Sequence, residues 1–354
     1  MNFILLLYFL LIILGARKYP KNQPFAKNCF SKEQCLSLRG AFAVLVVLHH
    51  AGNEINGTML FSQLYHFGVW ATAGFFVISG YGLTVSLQNK KEKYLGEFVS
   101  KRLRSPVFPY FVMILLYSAY FRIRDNYTLK DVLNTFLIGA PIVKNSWYII
   151  AIMYLYALYY IFAKLLFLKG KVRSFILVNF VGAAVYIMLC RGVGFGTWWY
   201  NTVFCFVVGI IFAEYEKDII KKVKKHIVPV NILTAVLLAV IFVCKIKLPR
   251  GTDLFLGATV LFAVTFAVFV PLLCMIVDFS KNAVFKWIGK ISLELYLIHG
   301  LVIEFLKTCD SVYSNGAVFV CLTVVLSIIS AWIIHFVLSK LWFVKNSPHH
   351  DNIK

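Results

Sequence analysis

Charged residues are scarce in this chain. They make up 14% of its 354 residues, whereas soluble globular proteins carry about a quarter. Hydrophobic residues make up 60%, and the mean hydropathy is +0.79. They occur in blocks of roughly 16 to 25 residues, the length at which a helix crosses a bilayer. This pattern excludes an ordinary soluble domain. Because the blocks are continuous rather than alternating, it also disfavours a transmembrane β-barrel.

Among the charged residues, acidic ones are the scarcer. The chain has 15 Asp and Glu and 36 Lys and Arg, which gives a net charge of +21. If successive loops alternate sides and the amino terminus lies outside, 25 Lys and Arg fall in loops on one side and 9 on the other. The positive-inside rule makes the first side cytosolic. The basic run at 217–226 is then a topology signal that touches anionic headgroups, and no nucleic-acid partner is expected.

Cysteine pairs and serine-hydrolase motifs are also absent. None of the eight cysteines forms a C-x-x-C pair, so we predict neither a disulfide framework nor a metal site. The sequence "VISGYG" lacks G-x-S-x-G, so Ser79, Gly80 and Gly82 are predicted to serve close helix packing rather than nucleophilic catalysis. Trp147 and Tyr148 are predicted to belong to an interfacial aromatic belt.

The apolar blocks predict an all-α fold, a polytopic transmembrane helical bundle with a ten-helix core and one N-terminal helix. Block 2–15 lacks the basic flank of a signal peptide, so we expect an uncleaved anchor. We expect an anchor and cytosolic linker over 1–32, a membrane domain over 33–345 and a cytosolic tail over 346–354. The short apolar stretch 131–143 is expected near the interface. The predicted spans are 2–15, 36–52, 65–87, 105–122, 147–168, 174–190, 198–213, 227–244, 254–278, 287–306 and 317–343.

The segment "LRGAFAVLVVLHH", residues 38–50, places ionisable side chains where hydrocarbon is expected, and such residues mark functional sites. His50 follows Arg39 by 11 residues, close to three helical turns. The two therefore share a face and lie about 16 Å apart along the axis, while His49 points about 100° away. A snorkelling Arg39 and a packing His50 are the alternatives. If the helix continues, Glu54 lies beside His50 and supports its basicity.

A second ionisable cluster lies in "KISLELYLIHGLVIE", residues 290–304. His299 is expected at a depth similar to that of His50, in the outer half of the membrane, with Glu294 deeper. Glu294 and His299 are five residues apart, about 140° round a helix, so they need not face the same cavity. His299 by itself fits a packing role as readily as a catalytic one.

Four segments follow one another along the chain: "LRGAFAVLVVLHH" (38–50), "AGFFVISGYGLT" (73–84), "KRLRSPVFPY" (101–110) and "IGKISLELYLIHG" (288–300). In this order they resemble acyltransferase family 3, the integral membrane acyltransferases that modify cell-surface sugars. The resemblance covers roughly residues 33 to 345. The third segment departs from the family pattern, because Ser105 holds the later arginine position and Arg104 stands one place early. Gly300 also replaces a common proline.

The resemblance implies an O-acetyltransferase-like enzyme with no permanently bound cofactor. Its donor substrate is implied to be acetyl-CoA or another acyl-CoA, and its acceptor a hydroxyl of a cell-surface polysaccharide or lipid-linked sugar. The enzyme is implied to sit among the lipids of the plasma membrane. We expect its amino terminus outside, if the first span inserts, and its carboxyl terminus in the cytosol.

The same resemblance implies roles for particular residues. His50 is the expected general base or nucleophile, and His299 assists by proton transfer or oxyanion binding. Arg39, Arg102 or Arg104 is expected to bind the donor's phosphates, with Arg39 also in the catalytic set. Glu54 and Glu294 are candidate supporting residues.

A transporter or channel is the alternative function, because it also places Arg, His and Glu inside a polytopic bundle. Neither an inverted repeat nor a matched pair of interrupted spans, which many transporters show, is visible in the sequence.

Overall fold

A computed structural model describes residues 2–19, 26, 28–55, 67–138 and 140–340, and nearly all of these are helical. Within that part of the chain, eight helical stretches are long and apolar enough to cross a membrane. The predicted all-α polytopic fold is thus confirmed. The helices are α1 Asn2–Gly15, α2 Lys32–Glu54, α3 Phe67–Phe98, α4 Arg104–Asp125, α5 Leu129–Leu137, α6 Trp147–Phe162, α7 Val172–Val193, α8 Phe204–Glu214, α9 Glu216–Val223, α10 Ile227–Lys247, α11 Asp253–Cys274, α12 Ala283–Lys290, α13 Ser292–Leu306, α14 Asp310–Tyr313 and α15 Gly316–Lys340.

Helix α2 lies at the centre of the bundle. It begins with a capping box, in which the Ser31 hydroxyl accepts from the main-chain N–H of Gln34 and the Gln34 side chain accepts from that of Ser31. Beyond this cap nearly every residue from Leu38 to Leu48 is buried, and α2 packs against α3, α12, α13 and α15. A helix that is apolar all round is stable only when it is surrounded in this way.

Glycines let α12 approach α2 very closely. A Cβ atom on Gly40 would lie 1.9 Å from the carbonyl oxygen of Phe285, and one on Gly289 would lie 2.0 Å from that of Leu36. Small residues at such crossings allow helix backbones to touch, as is common in membrane bundles. The contact holds the amino-terminal part of α2, next to Arg39, against the segment that leads into α13.

The predicted span 287–306 is not one helix. It divides at Ile291, where φ is −104° and ψ is 13°, into the end of α12 and the whole of α13. The first residue of α13, Ser292, is buried. The break therefore brings a helix amino terminus into the interior beside α2.

The helix within the predicted span 254–278 ends earlier than that span predicts. Helix α11 ends at Cys274, whose carbonyl oxygen accepts hydrogen bonds from the Tyr19 hydroxyl at 3.1 Å and the Gln34 amide at 3.2 Å. These side chains supply the hydrogen bonds that main-chain N–H groups of a further helical turn would otherwise donate. The following strand β2, Val277–Asp278, then pairs antiparallel with β1, Arg17–Lys18.

Helix α1 packs on this assembly. The Tyr8 hydroxyl donates to the Ala41 carbonyl at 3.0 Å, and the Asn282 amide donates to the Leu11 carbonyl at 2.8 Å. Its 14 residues extend about 21 Å, less than the roughly 30 Å hydrocarbon core. The predicted tail 346–354 lies outside the described residues, as do the ends of two predicted spans, 65–66 and 341–343.

The outer faces of several helices expose large apolar side chains, as lipid contact requires. Ile123, Leu177 and Leu233 are each more than 60% exposed. Helix α5, inside the predicted interfacial stretch, likewise exposes Leu133 and Leu137.

Candidate active site

Two histidines from different helices meet near the carboxyl-terminal end of α2. The ring centroids of His50 on α2 and His299 on α13 are 5.1 Å apart, and their planes are inclined by 27°. His299 is fully buried, whereas His50 keeps some exposure. The structure thus brings together the two histidines that the sequence placed at similar depth.

The hydrogen bonding of His299 is one-sided. Its Nδ1 donates to the main-chain carbonyl oxygen of Tyr296 at 2.6 Å, one turn earlier in α13. Its Nε2 is buried and has no hydrogen-bond partner among the described residues. A buried nitrogen of this kind is available to a proton or a hydrogen-bond donor.

His49 has different surroundings from His50. Its ring meets that of His50 edge-on at 4.7 Å, but it packs over Gly68, where an added Cβ would lie 2.6 Å from its Nε2. The Asn53 amide nitrogen lies 3.3 Å from the same Nε2. The rotation of about 100° between consecutive helix residues therefore turns His49 toward the start of α3.

Arg39 lies at the opposite end of the same contact between α2 and α13, near the amino-terminal end of α2. Its Nη2 donates to the Ser292 hydroxyl at 3.4 Å, a long hydrogen bond. Ser292 is the residue at which α13 begins, directly after the break at Ile291. Arg39 and His50 therefore both face α13, one near its first residue and the other two turns along it.

Buried aromatic side chains lie beside the histidine pair. Tyr148 and Tyr296 have ring centroids 5.6 Å apart, and the Tyr296 ring centroid lies 5.9 Å from that of His299. These rings extend the wall of the site from His299 toward the start of α6.

The expected interfacial role of Trp147 and Tyr148 is wrong, because both are less than a tenth exposed. Tyr148 packs against Phe76 inside the bundle. Tyr296 also escaped the sequence reasoning, although its position three residues before His299 puts it on the same helix face. No comparable local signal marks Tyr148, since its burial depends on packing between helices.

Arg102 and Arg104 lie in a different setting from Arg39. Arg102 belongs to a single π-helical turn, Val99–Leu103, and its Nε donates to the Tyr94 hydroxyl at 3.2 Å. Arg104 begins α4 and is exposed. The structure leaves both as candidates for an anion.

The two candidate supporting carboxylates contact other partners than the histidine pair. Helix α2 continues through Glu54, as the expected pairing with His50 required. The ion-pair partner of the Glu54 carboxylate is nevertheless Lys307, at 2.8 Å, and not the His50 imidazole. Lys307 directly follows α13, so the end of that helix supplies the competing cation. Glu294 pairs with His335 of α15 at 2.9 Å, on another side of α13 from His299, as the 140° separation allowed.

The glycine motif after Ser79 is only partly a packing motif. A Cβ on Gly80 would lie 2.0 Å from the Phe206 carbonyl oxygen, and one on Gly209 would lie 2.2 Å from that of Val77. Helices α3 and α8 therefore cross in direct backbone contact at Gly80, as predicted. Gly82 meets nothing within 4 Å, so the packing role expected for it is wrong.

The site offers a guanidinium at one end of the contact between α2 and α13 and two imidazoles at the other. Within the described ranges, no group of three His, Cys, Asp or Glu side chains is placed to hold a metal ion. The chemistry available from these residues is anion binding and proton transfer.

Comparison with protein families gives a match over most of the chain. A family model described as an acyltransferase domain matches residues 37–336, a range that contains Arg39, His50 and His299. Comparisons with curated proteins and with solved structures give no match.

Proposed function

The chain belongs to acyltransferase family 3, and on that premise we propose that this membrane acyltransferase uses a cytosolic acyl-CoA, with acetyl-CoA as the simplest donor. The acceptor in this proposal is a hydroxyl of a cell-surface or exported carbohydrate, reached at the outer face of a plasma membrane. The observation that carries the proposal is the contact between α2 and α13, with Arg39 at one end and His50 against His299 at the other.

The distance between these groups suits a long, phosphate-bearing donor. Arg39 and His50 are 11 residues apart on a continuous helix, which corresponds to about 16 Å. The phosphates of an acyl-CoA are separated from its thioester by an extended arm. Arg39, helped by Arg102 or Arg104, would hold the phosphates, while the arm brings the thioester to His50.

His50 is the residue we assign to the chemistry. Acyl transfer to a hydroxyl needs a group that removes the hydroxyl proton, or one that first carries the acyl group. A partly exposed imidazole can do either, and both roles use the same nitrogen lone pair. General acid–base groups of this kind contribute typically about 10²–10⁴-fold to the rate.

Reconstitution tests the proposal directly. The purified full chain would be placed in liposomes with radiolabelled acetyl-CoA and a panel of surface glycans. We expect label to move to a glycan and His50→Ala to reduce the rate by about 100-fold or more. The matched control is His49→Ala, which removes the adjacent imidazole that faces Asn53 and Gly68, and which should keep most of the activity.

Equal transfer by wild type and a folded His50→Ala variant would remove His50 from the mechanism. Uptake of solute by the liposomes without acyl transfer would favour a transporter instead. Transfer of label from succinyl-CoA but not from acetyl-CoA would change the assigned donor and leave the reaction class unchanged.

A further inference from the structure

We propose that the main-chain carbonyl of Tyr296 sets the proton positions on His299 and, through it, on His50. His299 then accepts a hydrogen bond at Nε2 from an N–H of the catalytic imidazole, His50. The inference rests on the proposed function, because it assigns a path to the proton of the acceptor hydroxyl.

The tautomer of His299 follows from one contact. A carbonyl oxygen can only accept, so the nitrogen 2.6 Å from the Tyr296 oxygen, Nδ1, must carry a hydrogen. A neutral imidazole has a single N–H, and therefore Nε2 holds the lone pair. A doubly protonated ring would bury an uncompensated charge, since His299 is 0% exposed.

This lone pair is left without a partner by the described residues. An unsatisfied buried acceptor carries the full cost of its desolvation, and native proteins rarely keep one without a functional reason. The ring of His50 lies nearby, at a centroid distance of 5.1 Å. The torsion that rotates an imidazole is soft, and a rotation of His50 can bring a ring nitrogen within hydrogen-bonding reach of Nε2.

The hydrogen bond formed in this way also determines which nitrogen of His50 carries the hydrogen. If one nitrogen of His50 donates to His299, its other nitrogen must hold the lone pair, and this nitrogen can accept the proton of the substrate hydroxyl. The arrangement follows the general logic in which a third group orients the base. It also decides a question left open by the sequence, because a neutral His299 has no free N–H with which to bind an oxyanion.

In the proposed reaction, the proton of the acceptor hydroxyl moves to His50 while the hydroxyl oxygen bonds to the acyl carbon. The bond between that carbon and the donor sulfur breaks, and the thiolate takes the proton from His50. While His50 is an imidazolium, its hydrogen bond to His299 is charge-assisted and correspondingly stronger. His299 is thus a positioning residue, because it acts on the substrate only through His50.

Two substitutions of similar size separate this role from packing. Gln at position 299 places an oxygen acceptor near the location of Nε2, whereas Met fills the same space without an acceptor. We expect His299→Met to lower kcat by about 100-fold or more and His299→Gln by about tenfold or less. Both variants should leave the KM for acetyl-CoA unchanged, since the donor's phosphates are held elsewhere.

Nitrogen-15 NMR of histidine-labelled protein reads the proton positions without any substrate. The His299 signals are identified by their loss in His299→Gln, and we expect the form protonated at Nδ1. Tyr296→Phe keeps the main-chain carbonyl and should leave this form unchanged.

Two results would overturn the inference while leaving the proposed function intact. One is a His299 ring protonated at Nε2, and the other is equal kcat for the Met and Gln variants in an active enzyme. A wild-type chain that transfers no acyl group to any acceptor would overturn the proposed function and remove the reaction that the relay serves. The NMR result separates these cases, because it does not depend on turnover.

Discussion

At the scale of residues, identical side chains acquire different roles from their neighbours. His49 and His50 are adjacent, yet His49 packs over Gly68, whereas His50 stacks against His299. The same contrast separates Arg39, which reaches Ser292 inside the bundle, from Arg104, which is exposed at the start of α4. An ionisable side chain within the membrane is costly wherever it sits, so its contacts decide what it can do.

Replacement of Arg39 tests its role as an anion-binding group. Arg39→Lys keeps the charge but loses the planar fork that matches a phosphate. A charged hydrogen bond contributes about 1.5–3 kcal/mol, so we expect the KM for acetyl-CoA to rise about tenfold or more. Steady-state kinetics of the reconstituted enzyme measures this. Arg173→Lys, in an exposed basic segment, is the control; equal KM values for the two variants would contradict the assignment.

At the scale of elements, close backbone contacts and helix breaks position the site. Helices α2 and α12 touch at Gly40 and Gly289, and the break at Ile291 then starts α13 beside Arg39. Two turns further along, α13 presents His299 to His50. The break thus places the hydroxyl of Ser292, the first residue of α13, within hydrogen-bonding distance of the Arg39 guanidinium.

The motif "SGYG" contains a matched pair of glycines for testing such contacts. Gly80→Ala would place a Cβ 2.0 Å from the Phe206 carbonyl oxygen, whereas Gly82→Ala meets open space. Overpacking costs about 1–3 kcal/mol, while alanine is favoured over glycine within a helix by up to about 1 kcal/mol. In detergent, we expect Gly80→Ala to lower the thermal unfolding temperature and Gly82→Ala to preserve or raise it. Equal unfolding temperatures would show that α3 and α8 do not cross this closely.

At the scale of the whole molecule, the uneven distribution of basic residues predicts the orientation in the membrane. Most Lys and Arg fall in loops assigned to the cytosol. This predicted orientation would place the Arg39 end of the site toward the proposed cytosolic donor and the histidines toward the proposed acceptor. The proposed direction of transfer therefore depends on it.

Cysteine labelling tests this orientation. Lys217 lies in a loop predicted to be cytosolic and Ser314 in one predicted to be external, and both are exposed. In a background without the native cysteines, a membrane-impermeant maleimide should label Ser314→Cys in intact cells. It should label Lys217→Cys only after the cells are permeabilised. The reverse pattern would invert the topology and put the histidines on the cytosolic side.

The sequence alone was enough for features that depend on local periodicity and composition. Long apolar blocks predict spans because hydrocarbon accepts only helices with satisfied backbones. The 3.6-residue repeat relates Arg39 to His50 because both belong to one continuous helix. The crossing at Gly80 was likewise predictable, since small residues are typical of such contacts in membranes.

Only the tertiary structure decided which groups from different helices meet. Glu54 contacts Lys307 instead of His50, Tyr148 is buried rather than interfacial, and His299 keeps a buried nitrogen without a partner. These outcomes depend on how α13 and α6 pack against α2 and α3, and no spacing within one segment determines that packing. The sequence determined that Arg39 and His50 lie on one face of α2. The fold decided what that face meets, because helix packing brings together residues far apart in the chain.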